Sequence, residues 1–464
     1  MPSPWQPRLS QLVQRFRVFA DTTTTVDPER PADGAAALQI PAFRVFLLAS
    51  LLSNIGNQMR IVAVSWEVYD RARTPLSLGL IGLVLAGPVL LLAMPAGVAA
   101  DRFSRKGILI GAHLALIACG FGLAFASAQE VPLPWIYLLL LGTGICRAAG
   151  WPAMSAMLTQ LVPKPLFANA ATWRSMAFQT AATLGPVLGA WLLAVTSPAV
   201  VYLIDAATSV AFVIALAMIV PAPQTHPKRV GAWQSLLDGV QFVRAQPLIL
   251  STITLDMVAV LFGGATALLP VFAVEILDVG PTGYGWLRAM PPVGSILMGL
   301  MLTTRVSIHR AGAALLWAVI GFGAWTMAFA VSRSFAVSLV ALFMLGAVDN
   351  VSVVIRATLL QLLTPDELRG RVSAVNAIFI NTSNEIGEFE SGITAHWFGP
   401  VLAVFGGGVL TLVTVAVVAK VWPSLRHVGR LSELRPEGET ETVAAGPPPQ
   451  DHQSQPSKSL AATG

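Results

Sequence analysis

The stretch that most constrains this chain is Gly97-Val98-Ala99-Ala100-Asp101-Arg102-Phe103-Ser104-Arg105-Lys106, where four ionised side chains sit between two apolar runs. Neither 76–100 nor 107–129 contains Asp, Glu, Lys or Arg. Each run exceeds the ~20 apolar residues that a hydrocarbon core requires. The charged cluster therefore reads as a tight cytoplasmic turn between two membrane helices.

Composition extends the argument to the whole chain. Hydrophobic residues make up 55% of the 464 and charged residues 11%, a balance that no soluble surface of this size keeps in water. The net charge of +5 is distributed over loops, which excludes nucleic acid as a partner and leaves the lipid bilayer. Apolar runs long enough to cross it fall at 43–69, 76–100, 107–128, 133–160, 166–195, 198–220, 248–276, 283–304, 312–331, 334–363, 372–398 and 400–422. Backbone in lipid must satisfy its own hydrogen bonds, so the expected fold is all-α and integral to the membrane, with about twelve transmembrane helices.

With the N-terminus inside, the inner loops hold Arg102, Arg105, Lys106, Lys164, Lys228, Arg229, Arg244, Arg305, Arg310, Arg369 and Arg371, and the outer loops only Arg71, Arg73 and Arg333. That bias places both termini in the cytoplasm. The expected organisation is a leader (1–42), a six-helix half (43–220), a charged cytoplasmic linker (221–247), a second six-helix half (248–422) and a tail (423–464). Arg8, Arg15, Arg17, Asp21, Asp27, Glu29 and Arg30 interrupt the leader, so it is not a signal peptide. Residues 9–20 suit either a basic amphipathic helix on the inner leaflet or a disordered leader. The tail, with Gly446-Pro447-Pro448-Pro449-Gln450, is expected to be disordered.

Cys119 and Cys146 each lie within an apolar run, without His or Cys at metal-ligand spacing, so neither a disulfide framework nor a metal site is expected. No Gly-rich phosphate loop with its Lys is present, which argues against ATP as energy source. The chain reads as no enzyme and as having no cofactor. Pumping would then draw on an ion gradient.

An internal repeat supports a carrier. Gln160-Leu161-Val162-Pro163 closes the fourth span and Gln361-Leu362-Leu363-Thr364-Pro365 the tenth. About twenty residues later Leu184-Gly185-Pro186 answers Ile386-Gly387-Glu388. Two equivalent halves are what alternating access needs, with a midplane site between them.

Charges inside spans mark the candidate site, because each costs about 2.5–3.5 kcal/mol on insertion scales. Arg60 and Glu67 lie seven apart in the first span, Asp349 and Arg356 seven apart in the tenth, so each pair shares a helix face. Arg147 and Asp256 fall in the fourth and seventh. Glu67 lies near the outer end, where it can reach headgroups. The eleventh span carries Glu385, Glu388 and Glu390. The first two share a face, and acids this close repel, which suits a proton carrier; the alternative is a set of interhelical hydrogen bonds. Three arginines, Arg60, Arg147 and Arg356, suit an anionic substrate. If Glu67, Asp256 and Asp349 neutralise them, a neutral or zwitterionic one fits instead.

The order small-x-x-x-Asp-Arg-x-x-Arg-Lys at 97–106 resembles the loop signature of the major facilitator superfamily, with Ser104 where the family pattern has Gly. Gly185-Pro186-Val187-Leu188-Gly189-Ala190 resembles the superfamily's Gly-Pro kink of proton-driven exporters, with Ala190 for the second Gly. Gly142-Thr143-Gly144-Ile145-Cys146-Arg147 loosely resembles its fourth-span Arg motif. Val68-Tyr69-Asp70, Leu261-Phe262-Gly263-Gly264, Leu268-Leu269-Pro270 and Glu388-Phe389-Glu390-Ser391-Gly392 are similar to the branch that includes the enterobactin exporter and many bacterial efflux proteins. The resemblance covers roughly 43–421. It implies that the first, fourth, seventh and tenth spans line a central cavity, collecting Arg60, Glu67, Arg147, Asp256, Asp349 and Arg356. It implies that Gly97, Asp101, Arg102, Arg105 and Lys106 latch the cytoplasmic side of the half-interfaces. Gly185, Pro186 and Gly189 make a bend and sliding surface, or simple helix packing. The implied activity is export of a small organic solute, siderophore-like or amphipathic, against proton entry across a bacterial inner membrane. An importer or facilitator of a sugar or other nutrient is the alternative, and a non-transporting sensor or scaffold the alternative of another class. Substrate identity and oligomeric state are not legible.

Overall fold

The computed structural model describes residues 34–221, 232–304 and 309–429. Most of the leader and tail, including 9–20, and the loop charges Lys228, Arg229 and Arg305 lie outside the described residues. The helices are α1 (Pro41–Ala72), α2 (Pro75–Arg102), α3 (Arg105–Ala128), α4 (Leu133–Leu161), α5 (Phe167–Val195), α6 (Pro198–Met218), α7 (Ala232–Ala245), α8 (Pro247–Phe262), α9 (Gly280–Thr304), α10 (Ala311–Val331), α11 (Phe335–Leu363), α12 (Asp366–Phe398) and α13 (Pro400–Val421). No strand occurs among the described residues.

Local sequence sets the helix ends. Pro41, Pro75, Pro198, Pro247 and Pro400 stand in the first turn of their helices, where the missing N–H costs nothing and φ is already helical. Ser104, the departure from the family's loop pattern, caps α3: its hydroxyl accepts from the Gly107 N–H at 3.2 Å. Gly399, at φ 84°, ends α12 in a conformation that a side chain would strain.

Nine of the described helices are long and apolar enough to cross a bilayer by themselves. The three others of the bundle fall short for visible reasons. α8 has 16 residues, and α9 and α12, though long, are more polar, carrying Arg288 and the three glutamates. The seventh span differs from expectation: instead of one helix over 248–276, α8 stops at Phe262 and helix resumes only at Leu269–Val271 and a π-helical turn Phe272–Ile276. The break, 263–268, opens with Gly263 and Gly264. Gly264 presses against Ser391 and the Gly387 carbonyl of α12, and the Phe262 carbonyl fills the space that a side chain at Gly407 would take. α7 meets α8 at a 103° bend.

The packing has an internal twofold logic. α1 packs on α5 and α6, α2 on α4, and α3 on α4 and α6; correspondingly α8 packs on α12 and α13, α9 on α11, and α10 on α11 and α13. Contact between halves is made by α2 with α12 and by α5 with α9, again equivalent pairs. The core shows how the halves meet. One buried cluster draws on both, including Tyr69, Leu78 and Tyr202 with Phe272, Tyr284 and Phe329. At the end bearing the Arg102–Arg105 turn the core separates into one cluster around Phe43, Leu109 and Met157 and another around Leu255, Leu315 and Leu359. The bundle is joined at one end and divided at the other.

Candidate functional site

At the joined end the helices meet through glycine. A Cβ on Gly392 of α12 would lie 2.5 Å from the Gly79 Cα of α2, and one on Gly82 would lie 2.8 Å from the Glu388 Cβ. On the other interface Gly285 of α9 packs against Pro186 and Ala190 of α5. Trp66 of α1 stacks on Tyr284 of α9 with ring centroids 6.0 Å apart, and the Tyr69 hydroxyl donates to Glu275. At the divided end a Cβ on Gly97 would meet no neighbouring helix within 4 Å.

α5 runs unbroken through Pro186. Gly185 and Gly189 face α1: a Cβ at Gly185 would meet Gln58, and one at Gly189 would lie 2.8 Å from the Met59 Cα. Small residues here let α1 and α5 approach within the first half, while the Pro186 carbonyl faces the second.

The charges within the spans find partners at other spacings, most of them on other helices. Arg60 does not pair with Glu67. Its Nε lies 2.8 Å from Oδ2 of Asp205 on α6, and its Nη2 donates to Asn57. Asp205 is the only charge in the sixth span, a signal present in the sequence and passed over. Glu67 is buried rather than reaching headgroups: Arg71 pairs with it at 2.5 Å, and the Tyr202 hydroxyl donates to it at 2.6 Å. In the second half Arg356 of α11 pairs with Asp256 of α8. Asp349 and Asp256 line one enclosure with Ser352 and Phe322, of ≈ 10 Å³, close to the least that holds a water. The Arg356 guanidinium pairs with Asp256 and lies within electrostatic reach of Asp349.

One pair joins the halves. Nη2 of Arg147 on α4 lies 3.1 Å from Oε1 of Glu385 on α12. Glu388, one turn on, is pressed against Gly82 and lies within electrostatic reach of Arg288, Glu385 and Arg147. Arg288 on α9 is the only charge in its span, the same signal that marks Arg147, and Tyr284 beside it carries no such signal. All three arginines expected in the cavity thus have carboxylate partners. Their exposure differs: the Arg147 side chain is 38% exposed, against 6% for Arg60 and 12% for Arg356.

The charged turn engages its own half in this conformation. Arg105 donates to the Ala156 carbonyl at 3.0 Å and the Thr159 hydroxyl at 3.1 Å, and Lys106 donates to the carbonyls of Ala217 and Ile219 at 3.0 and 2.7 Å. Both cations sit at the C-terminal ends of α4 and α6, where the helix dipole favours them. Arg102 is exposed, and the Asp101 side chain lies outside the described residues.

Comparison with known proteins fits this geometry. A bacterial homologue of the human lysosomal transporter Spinster, solved in an inward-facing and unoccupied conformation, matches with a TM-score of 0.64 at 16% identity over 84% of this chain and 97% of its own. A D-xylose–proton symporter matches with a TM-score of 0.63 at 13% identity over 84% and 98%. These likenesses establish the fold. The enterobactin exporter EntS of Escherichia coli strain K12 is 26% identical over 391 residues, covering 83% of this chain and 93% of the exporter, as is EntS of Shigella dysenteriae serotype 1. The family model described as a transmembrane secretion effector, MFS_3, matches residues 32–433. A two-half bundle joined at one end, charged at the seam and matched along nearly all its membrane region by that model belongs to the transmembrane secretion effector family of the major facilitator superfamily, the multi-pass secondary transporters.

Proposed function

We propose that this chain exports a small organic solute, siderophore-like or amphipathic, from the bacterial cytoplasm in exchange for protons, with both termini on the cytoplasmic side of the inner membrane. The observation that carries the reading is the division of the core at the end of the Arg102–Arg105 turn. The Lys and Arg bias of the loops makes that end cytoplasmic, so this conformation offers its cavity to solutes from inside. The 26% identity to EntS along most of both chains supports outward transport of the same general kind of solute.

Arg147 is the group suited to meet the solute. It is the most exposed of the three arginines and can exchange Glu385 for a substrate carboxylate or catecholate, releasing that acid to take a proton. Binding from inside would then loosen the only ion pair between the halves among the described residues, coupling occupancy to the change of state.

Everted membrane vesicles test the direction. With the lumen acidified by respiration, enterobactin or ethidium should accumulate in vesicles carrying the protein and leave when an uncoupler is added. Accumulation confined to right-side-out vesicles would make the chain an importer, and none in either orientation would remove transport of these solute classes.

A further inference from the structure

A second site lies on the outer surface of the bundle, away from the seam between halves. α10 and α13 enclose a cleft of ≈ 530 Å³ whose walls are Trp317, Ile320, Leu412 and Ala416 and whose mouth is Arg426. Its volume is that of a small-molecule site. Alanines at 313, 416 and 419 leave the space, and Trp317, 70% exposed, stands over it.

Arg426 is held there by the fold. After α13 the chain turns through Pro423–His427 and lies back across the start of α10, where the Ala311 and Gly312 N–H groups donate to the carbonyls of Gly429 and Val428 at 3.0 and 3.2 Å. This strap satisfies two N–H groups that a helix start leaves open. Gly312 is obligatory beneath it, since the Leu425 carbonyl occupies the space a side chain would need.

Arg310 directly precedes α10, one turn from the cleft-lining Ala313, and Lys420 is in the last turn of α13. Three cations therefore gather at one end of the cleft. Neither helix nor the strap contains an acidic residue. Among the described residues no carboxylate pairs with Arg310, Lys420 or Arg426. The charges stand at the helix ends, at the level of the headgroups, and the cleft runs from them along apolar side chains into the hydrocarbon.

We propose that this cleft binds an anionic glycerophospholipid, its phosphate against Arg426 and its acyl chain between α10 and α13. A free phosphate would satisfy the cations and leave the cleft unfilled; a zwitterionic lipid would fill the cleft and leave the cations partly unpaired. Only an anionic lipid completes both.

Trp317 reports on its own site. The full chain is reconstituted in vesicles of phosphatidylcholine with brominated phosphatidylglycerol or brominated phosphatidylcholine, and tryptophan quenching is compared between parent and Trp317→Phe. The difference isolates Trp317. It should be quenched at lower mole fraction by the brominated phosphatidylglycerol, and Arg426→Ala should weaken that preference about fivefold, the equivalent of about 1 kcal/mol for one basic group at an anionic surface. Arg426→Lys should keep most of it, and millimolar inorganic phosphate should not compete. Equal quenching by both lipids, or a preference unchanged in Arg426→Ala, overturns the proposal. So does loss of the preference in free phosphate, which would mean a simple anion site. Absence of Trp317 quenching by either lipid, with a second copy crosslinked through this face, would assign the cleft to a dimer contact instead.

Discussion

Arg147 and Glu385 are the one ion pair that ties the two halves together among the described residues, at 3.1 Å across α4 and α12. The pairs Arg60–Asp205 and Arg356–Asp256 each stay within one half. A pair inside a half moves with it as a rigid body, whereas a pair between halves must break or re-form when they rock.

Glu385→Gln should therefore separate coupling from movement. The amide keeps the shape and can still accept from Arg147, but it neither carries a proton nor holds the arginine by charge. Gradient-driven accumulation should fall at least about tenfold, corresponding to about 1.4 kcal/mol, while downhill exchange in proteoliposomes persists. An unchanged uphill rate would remove Glu385 from the coupling.

Asp205→Ala should act on stability. It leaves Arg60 buried and unpaired, a change that costs about 3–5 kcal/mol in comparable buried pairs. Thermal unfolding in detergent should show a large loss for Asp205→Ala, and the double change Arg60→Met with Asp205→Leu should recover most of it. A single variant as stable as the parent would mean that water reaches Arg60.

Much of this architecture was legible in the sequence, and the part that was not has a physical reason. The charged turn, the span positions and the two-half repeat are local patterns of apolarity and charge, and they reappear in α2, α3 and the equivalent packing of the halves. Arg147 is marked by being a lone, costly charge in an apolar span, and Glu385 by belonging to a cluster of three acids. Pairing was not legible. Spacing along α1 put Arg60 and Glu67 on one face, but the partner of a buried charge depends on which helix packs alongside, and that helix is α6 with Asp205. The break in the seventh span was hidden for the same reason. Gly263-Gly264 interrupts no apolar run, and the stop is imposed by the close fit of Gly264 to Ser391 and of Phe262 to Gly407.

Gly392→Leu should prevent closure of the joined end. The Gly392 and Gly79 backbones approach too closely for a side chain, so α2 and α12 would be held apart and the equilibrium displaced from this conformation. Spin labels at Arg73→Cys and Trp397→Cys, in a background of Cys119→Ser and Cys146→Ser, should show longer distances with the leucine, and transport should be lost. Distances and transport equal to the parent's would show that closure does not depend on this contact.

Asp101→Asn tests the opposite end. Here a side chain at Gly97 would press on no neighbouring helix, while Arg105 and Lys106 are anchored on α4 and α6, so α2 ends in a positively charged turn held to its own half. When this end closes, α2 must approach α12 as it does at Gly79, and an acid at the tip of α2 can then meet the end of α12, where Arg369 and Arg371 lie. Loss of its charge weakens that closed state. Asp101→Asn should insert and unfold like the parent yet transport about tenfold more slowly, the effect of about 1.4 kcal/mol on a two-state balance. Arg371→Gln is a poorer probe, because Arg371 already pairs with Asp238 of α7 at 2.7 Å and its loss would disturb this conformation too. Parental transport by Asp101→Asn in proteoliposomes under a pH gradient would exclude a latch at this residue.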